Sequence, residues 1–407
     1  MMFVAKKKLI VCFKPGTKRS RCMSMHKEMK AELVKEIKEI GIHVVFVQDN
    51  ELKTCFKKYD SSKAVQFVEE DHLIQVEPIL DRGDLSSRVK IEGAAVSTND
   101  PLLERQWGLA NISAERAWEL VGTSRVSAKI AILDTGVNRN HEDLRGKVIH
   151  QANFSNSSTV EDIHGHGTHV AGIAAAITNN GKGIAGMSYN AADILNIKVL
   201  GDSGGGMLSD VAEGIIHAAN QGADVINMSL GTSRSDETLR RAVNYAYNRN
   251  IFLVGAAGNS GSNTRHYPAA YQNVMAVAAT NQDNDLASFS TYGSWVEVAA
   301  PGQDILSTFP EDSGEPMSGY RVSSGTSQAA PFISGLAGLI KAANPALTHR
   351  DIRAAIQRAA TRSVSGGSIR YGRIDAGTAI QLALNTPSSQ QPPTEELEEL
   401  PPVWLNI

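Results

Sequence analysis

Beyond Cys55 the chain contains no cysteine at all. The three it has, Cys12, Cys22 and Cys55, are odd in number and gathered near the N-terminus, which argues against a closed disulfide framework. Cysteine nucleophiles and thiolate metal sites are thereby excluded from the rest of the chain. Net charge is equally scarce: 40 Lys and Arg against 43 Asp and Glu leave −3, no electrostatic reason to expect nucleic acid or an anionic membrane as partner. No apolar stretch reaches the length of a membrane-spanning helix. Between Lys6-Lys7-Lys8 and Lys14, Leu9 to Phe13 offers only five apolar residues, too few for the core of an export signal. That segment reads as a strand, and a cytoplasmic location is expected, with export as the alternative.

What is present is a chain of 407 residues, 42% hydrophobic with 35 glycines, long enough for two or three packed units. The first is short. A strand over Lys8–Lys14, a charged amphipathic helix over Ser24–Ile40 and a strand over His43–Val47 are followed by a mixed stretch to about Lys63. Strand patterns return at Val65–Val68 and Leu73–Val76. Elements in this order suit a small α+β unit. From Pro78 to Ser97 the periodicity fades into loop chemistry, an exposed linker. From Asn99 onward, fully apolar strands (Ala128–Leu133, Asp193–Val199, Val225–Met228, Phe252–Ala256, Val274–Ala278) alternate with helical stretches such as Ser209–Gln221 and Asp236–Asn248. This is the pattern of a mostly parallel sheet covered on both faces, which places its chemistry at the carboxyl ends of strands. Pro and Glu dominate Thr386–Ile407, a disordered or extended tail.

Four segments carry reactive side chains. Asp134 ends an apolar strand ahead of Thr135-Gly136; alone, it is as well explained as a turn or cap residue. His164, His166 and His169 cluster in His164-Gly165-His166-Gly167-Thr168-His169. The spacing lacks the His-Glu-x-x-His arrangement of a zinc helix, and its glycines favour one tightly placed imidazole acting as a base. Ser327, in Gly325-Thr326-Ser327, opens an apolar helix and by itself could be only a cap. Asn259 follows the strand Phe252–Ala256 in a Gly-Asn turn. Taken together the four make sense: a serine hydroxyl needs a base, the base needs an acid to fix its tautomer, and an amide can steady the oxyanion.

These motifs, Asp134-Thr135-Gly136, His166-Gly167-Thr168-His169, Gly258-Asn259 and Gly325-Thr326-Ser327, resemble in order and context those of the subtilisin-like serine proteases, most nearly of the thermitase type. The resemblance implies an α/β subtilisin-like three-layer fold with a mostly parallel sheet, and serine endopeptidase activity. It implies Asp134 as orienting acid, His166 as base, Ser327 as nucleophile and Asn259 as oxyanion donor. Ser229-Leu230-Gly231 and Ala256-Ala257-Gly258 would flank the pocket for the residue before the cut bond, with a broad preference for large apolar side chains. A Ca2+ ion would be held by Asp100, Asp143 and Asn180 with the carbonyls of Ile177, Lys182 and Ile184; the second calcium site of thermitase is not expected. Residues 1–77 resemble an inhibitory, ferredoxin-like prodomain, cut off by the enzyme itself within the linker 78–98, ahead of a catalytic domain over 99–385 and the tail 386–407. Protein and peptide substrates and its own prodomain are the implied partners, and a monomer the implied state.

Overall fold

The computed structural model describes residues 6–76, 80–81, 98–122, 126–310, 319–360 and 363–387. The expected linker and tail therefore lie largely outside the described residues.

The N-terminal unit runs β1 (Lys6–Phe13), α1 (Arg19–Glu28), β2 (Glu32–Ile37), β3 (Ile42–Gln48), α2 (Leu52–Asp60) and β4 (Val65–Glu70). Its strands form one antiparallel sheet in the order β2-β3-β1-β4. Strand β1 is apolar on both sides because both of its faces are covered. Leu9, Val11 and Phe13 pack with Cys22, Met25, Cys55 and Tyr59 of the two helices. Ile10 and Cys12 point the other way and join Ile42 and Val44 in a cluster shared with the rest of the molecule.

Two local expectations change here. The helix expected over Ser24–Ile40 stops at Glu28, and the chain reverses through Lys30, which takes a left-handed φ of 53°. Residues 32–37 are a strand, paired with β3 despite their helix-favouring Glu, Leu and Lys; cross-strand pairing overrides local propensity. The mixed stretch before Lys63 contains α2.

Next come β5 (Leu73–Gln75) and β6 (Leu80–Asp81). The larger body follows with α3 (Trp107–Asn111), α4 (Ala114–Val121), β7 (Ala128–Asp134), β8 (Val148–Asn153), α5 (His166–Ala175), β9 (Ala192–Lys198), β10 (Gly205–Met207) and α6 (Leu208–Asn220). It continues through β11 (Val225–Met228), α7 (Glu237–Tyr247), β12 (Phe252–Ala256), β13 (Met275–Thr280), β14 (Val298–Pro301), β15 (Ile305–Thr308) and β16 (Tyr320–Ser324). The last elements are α8 (Thr326–Ala343), α9 (His349–Ala359), β17 (Gly372–Arg373) and α10 (Ala376–Leu384). Eight strands form the central sheet in the order β17-β14-β13-β12-β11-β7-β9-β8, each pair parallel.

Alternate residues of β7 show the three layers directly. Ile130 and Ile132 pack with α5, α8, α9 and α10 on one face, while Ala131 and Leu133 pack with α6 and α7 on the other. Strands β12, β13, β14 and β17 add beyond β11 while β9 and β8 add beyond β7, so the crevice opens at the carboxyl ends of the β11–β7 pair. That is where Asp134 sits.

Candidate active site

Asp134 is the last residue of β7 and is fully buried. Its Oδ1 accepts the Thr135 N–H at 2.7 Å and lies 2.7 Å from His166 Nδ1. His166 is the first residue of α5 and is equally buried. Burial alone would drive its pKa down, but the Asp134 carboxylate outweighs this and holds it above the ordinary imidazole value. Because Nδ1 is held by a carboxylate, the remaining nitrogen, Nε2, is left bare of protein partners.

The loop before α5 fixes this ring. Asp162, buried, accepts hydrogen bonds from the N–H groups of Gly165 and Thr168 and from the Thr135 and Thr168 hydroxyls. One carboxylate thus caps the helix that carries the imidazole and ties it to the strand that carries the acid. Gly167 has to be glycine: a Cβ there would lie 2.1 Å from the Gly136 carbonyl oxygen. The other two histidines are not alternatives. His169 is buried, its pKa pushed down to about 3 by burial, and its Nε2 is 3.0 Å from the Arg321 carbonyl oxygen, away from the site. His164, half-buried, flanks the crevice: a Cβ on Gly204 would meet both its Nε2 and the Val76 side chain.

Ser327 is the second residue of α8, 2% exposed. Its hydroxyl donates to the Ser229 carbonyl oxygen at 3.2 Å, so in this state the oxygen is parked on a backbone acceptor. Ser229 returns a bond, its Oγ donating to the Ser327 carbonyl at 3.0 Å, and Asn227 and Ser334 continue that chain beneath the helix. Asn259 lies beyond β12. Its Oδ1 accepts the N–H and hydroxyl of Thr326, which turns the amide nitrogen toward Gly325 and leaves its N–H groups to donate. The structure therefore joins Asp134 with His166, and Asn259 with the Thr326–Ser327 turn.

Reasoning from the sequence alone missed Asp162, Thr326 and the Asn227–Ser229–Ser334 chain. An acid three residues ahead of a glycine-rich helix start was the available signal for Asp162.

Of the six residues expected as pocket walls, Gly231 and Gly258 border a cavity of about 400 Å3, together with Asn259. Against both glycines packs the imidazole of His266, which belongs to none of the sequence motifs.

The prodomain-like unit lies along this crevice. Strand β5 pairs antiparallel with β10, Gly231 N donates to Gln75 O at 3.1 Å, and Val76 N donates to Gly204 O at 2.9 Å. A segment of the chain thus lies in the crevice as an extra strand between two edges. Beyond it, β6 pairs with Ser323 and Ser324, just ahead of the nucleophile. Two carboxylates anchor the unit at helix N-termini. Glu69 accepts from the N–H groups of Glu237 and Thr238 at α7, and Asp71 from the N–H and hydroxyl of Ser209 at α6. Lys35 adds ion pairs to Asp210 and Glu213.

The calcium expectation is corrected. Asp143 and Asn180 do meet, but as hydrogen-bond partners at 2.9 Å, and the other Asp143 oxygen accepts from Ile184 N and the Tyr320 hydroxyl. Asn180 Oδ1 accepts from Lys182 N, and Asp100 spends its oxygens on the N–H groups of Asn179 and Asn180. These oxygens already have protein donors, and the carbonyls of Ile177, Lys182 and Ile184 have no acid cluster to complete. Among the described residues no group of three or more His, Cys, Asp or Glu could hold a metal ion. No Ca2+ cofactor is assigned.

Comparison with known proteins agrees with the geometry. The Subtilase family model matches residues 126–374, and the Fervidolysin N-terminal prodomain model matches residues 5–71. The chain is 48% identical over 286 residues to thermitase of Thermoactinomyces vulgaris, covering 70% of this chain and 99% of thermitase. It is 46% identical over 290 residues to a thermophilic serine proteinase of Bacillus sp. (strain AK1), covering 70% of each. The crystal structure of fervidolysin from Fervidobacterium pennivorans, a keratinolytic enzyme related to subtilisin, superposes with a TM-score of 0.79 at 27% identity. That match covers 95% of this chain, which spans 62% of the fervidolysin chain. The cytoplasmic expectation is corrected by the same kinship: the related thermitase, alkaline proteases and subtilisin Savinase are secreted, extracellular enzymes. The chain belongs to the subtilase family of serine proteases, with a self-inhibitory prodomain of the fervidolysin kind.

Proposed function

We propose that this protease is an endopeptidase in which Ser327 is the nucleophile, His166 the base, Asp134 the orienting acid and Asn259 the oxyanion donor. The observation that carries the reading is the buried His166 Nδ1–Asp134 contact of 2.7 Å, which leaves Nε2 without a protein partner. A neutral imidazole so held presents a lone pair at Nε2. When substrate enters, the Ser327 hydroxyl leaves the Ser229 carbonyl and gives its proton to Nε2 as Oγ attacks the peptide carbonyl. The imidazolium formed is stabilised by the Asp134 carboxylate. The developing oxyanion is met by the Asn259 amide, whose orientation Thr326 fixes, and by the start of α8. His166 then passes the proton to the leaving amine, and water releases the acyl group by the reverse sequence.

We also propose residues 1–77 as the prodomain, 99–385 as the catalytic domain and a site of action outside the cell. A β-α-β-β-α-β order with the sheet order β2-β3-β1-β4 supports a ferredoxin-like prodomain. Self-processing falls between Val76 and Leu80 in this reading. Two observations support this: Val76 N donates to Gly204 O in the crevice, and β6 pairs with Ser323 and Ser324, just ahead of the nucleophile in the chain. For the substrate, the cavity of about 400 Å3 beside Gly231 and Gly258 leaves room for a large side chain.

Expression of the Ser327→Ala chain tests the reading. It is expected to remain full-length in a host lacking other proteases, while the wild-type chain is cut between residues 76 and 80. A fluorophosphonate probe is expected to label Ser327 of the processed enzyme. A cleaved Ser327→Ala chain, or a processed enzyme that takes no label, would overturn it.

A further inference from the structure

We propose that His266 makes the pocket for the side chain before the cut bond selective for a carboxylate, with glutamate preferred over large apolar residues. The proposal rests on the protease reading above and names its substrate class. Its first ground is placement. A Cβ on Gly231 would lie 2.3 Å from His266 Nε2, and a Cβ on Gly258 would lie 3.1 Å from its Cγ. The imidazole, 9% exposed, therefore packs against both glycine walls and borders the cavity they line, where an apolar pocket would present carbon.

Charge is the second ground. Among the described residues that border the cavity none is acidic, while the exposed Arg265 adds a fixed positive charge. Ser260 and Thr291 add hydroxyls, joined Oγ to Oγ1 at 3.0 Å. A carboxylate entering this pocket finds a cation, an imidazole and hydroxyls, in a site where water is partly excluded and charge-assisted hydrogen bonds are strong. A phenyl or isobutyl group would cover the same polar groups without replacing their water, and a site built to hydrogen-bond a ligand rejects analogues that cannot. The third ground is the sequence of the inhibitory segment. Gln75 and Val76 border this cavity, and the next residue in the chain is Glu77.

The test uses processed enzyme and four peptides, acetyl-Ile-Gln-Val-X-p-nitroanilide with X as Glu, Gln, Phe or Leu. The expected kcat/KM for Glu exceeds that for Phe at least tenfold, and the advantage shrinks as salt is raised. His266→Gly is expected to lower the Glu-to-Phe ratio at least tenfold. Arg265→Ala, on an exposed side chain, is expected to lower it severalfold, mainly through KM. Should His266→Gly fail to fold, His266→Asn and Arg265→Ala carry the decision. A wild-type enzyme that prefers Phe or Leu, or a ratio that no variant moves, would overturn the proposal while leaving the protease reading intact. No hydrolysis of any of the four, with no fluorophosphonate labelling, would overturn both.

Discussion

Glu69 of the prodomain accepts the backbone N–H of Thr238 at 3.1 Å and its hydroxyl at 2.7 Å, closing the first turn of α7 in the catalytic domain. An anion at a helix N-terminus satisfies N–H groups that have no partner inside the helix and sits at the positive end of its dipole. Here the cap comes from the domain that must later leave. Asp71 does the same for α6 through Ser209.

Removing such a cap costs about 0.5–2 kcal/mol, and 1.4 kcal/mol corresponds to about tenfold in an equilibrium constant. In the Ser327→Ala chain, Glu69→Ala is therefore expected to speed removal of the prodomain by added trypsin about tenfold, provided undocking is fast relative to cutting. Glu69→Ala with Asp71→Ala is expected to speed it further. An unchanged digestion rate in the double variant would show that the caps do not hold the prodomain.

Much of this was legible beforehand, and the pattern of success has a physical reason. The strands of the parallel sheet are apolar on both faces, so β11 and β12 fall where the sequence placed them and β7 within one residue. The segments of the proposed residues Asp134 and His166 stood out because backbone approaches closely at Gly136 and Gly167, and glycine leaves a trace in sequence. Strand β2 was not legible: its pairing with β3 is a tertiary fact that contradicts the helix propensity of Glu32–Ile37. The calcium ligands failed for the opposite reason. Asp100, Asp143 and Asn180 do converge, but sequence cannot say whether a carboxylate oxygen faces a cation or an N–H group. His266 escaped notice because it belongs to no motif and matters only through its position between two glycines.

Asn259 holds Thr326 with its oxygen and leaves its nitrogen to donate. Asn259→Ala is expected to lower kcat by the order of 10²–10³-fold, the scale known for an oxyanion donor in subtilisin, itself a member of this family. KM is expected to change little, because the donor acts on charge that appears only in the transition state. A loss confined to KM would remove Asn259 from the oxyanion role. Thermal melting of the variant separates this effect from loosening of the Thr326 turn.

Gly167 offers a test of positioning one residue from the base. An alanine Cβ would stand 2.1 Å from Gly136 O and 3.0 Å from Asp134 Cβ, so backbone on one side or the other has to move. Overpacking of this kind costs about 1–3 kcal/mol of stability, and a misplacement near 1 Å costs about 10²-fold in rate. Gly167→Ala is expected to show both losses, read from a melting curve and from peptide hydrolysis. Full activity with a normal melting temperature would mean that the His166–Asp134 contact tolerates the shift.

The prodomain is expected to weaken in acid, because its core holds two histidines. His26 Nε2 lies 2.8 Å from His43 Nδ1, and His26 Nδ1 lies 2.8 Å from the Tyr59 hydroxyl. Burial, then the neighbouring His43, pushes the His26 pKa from 6.5 down to about 4, and burial lowers that of His43 too. A base whose pKa is lower in the fold than in the unfolded chain stays neutral in the fold while the unfolded chain takes up protons. Its stability is therefore fully present above the unfolded value of 6.5 and is lost as pH falls toward about 4. At the docking face the sign reverses: the hydrogen bond to Asp236 raises the His72 pKa, so that contact strengthens in acid and fades as pH rises. The two effects separate by mutation. In the Ser327→Ala chain, the prodomain's melting temperature is expected to fall between pH 7 and pH 5. His26→Leu with His43→Phe is expected to flatten that slope, whereas His72→Ala should steepen it. A prodomain that melts higher at pH 5 than at pH 7 in the His72→Ala background would show that the buried pair does not govern its acid sensitivity.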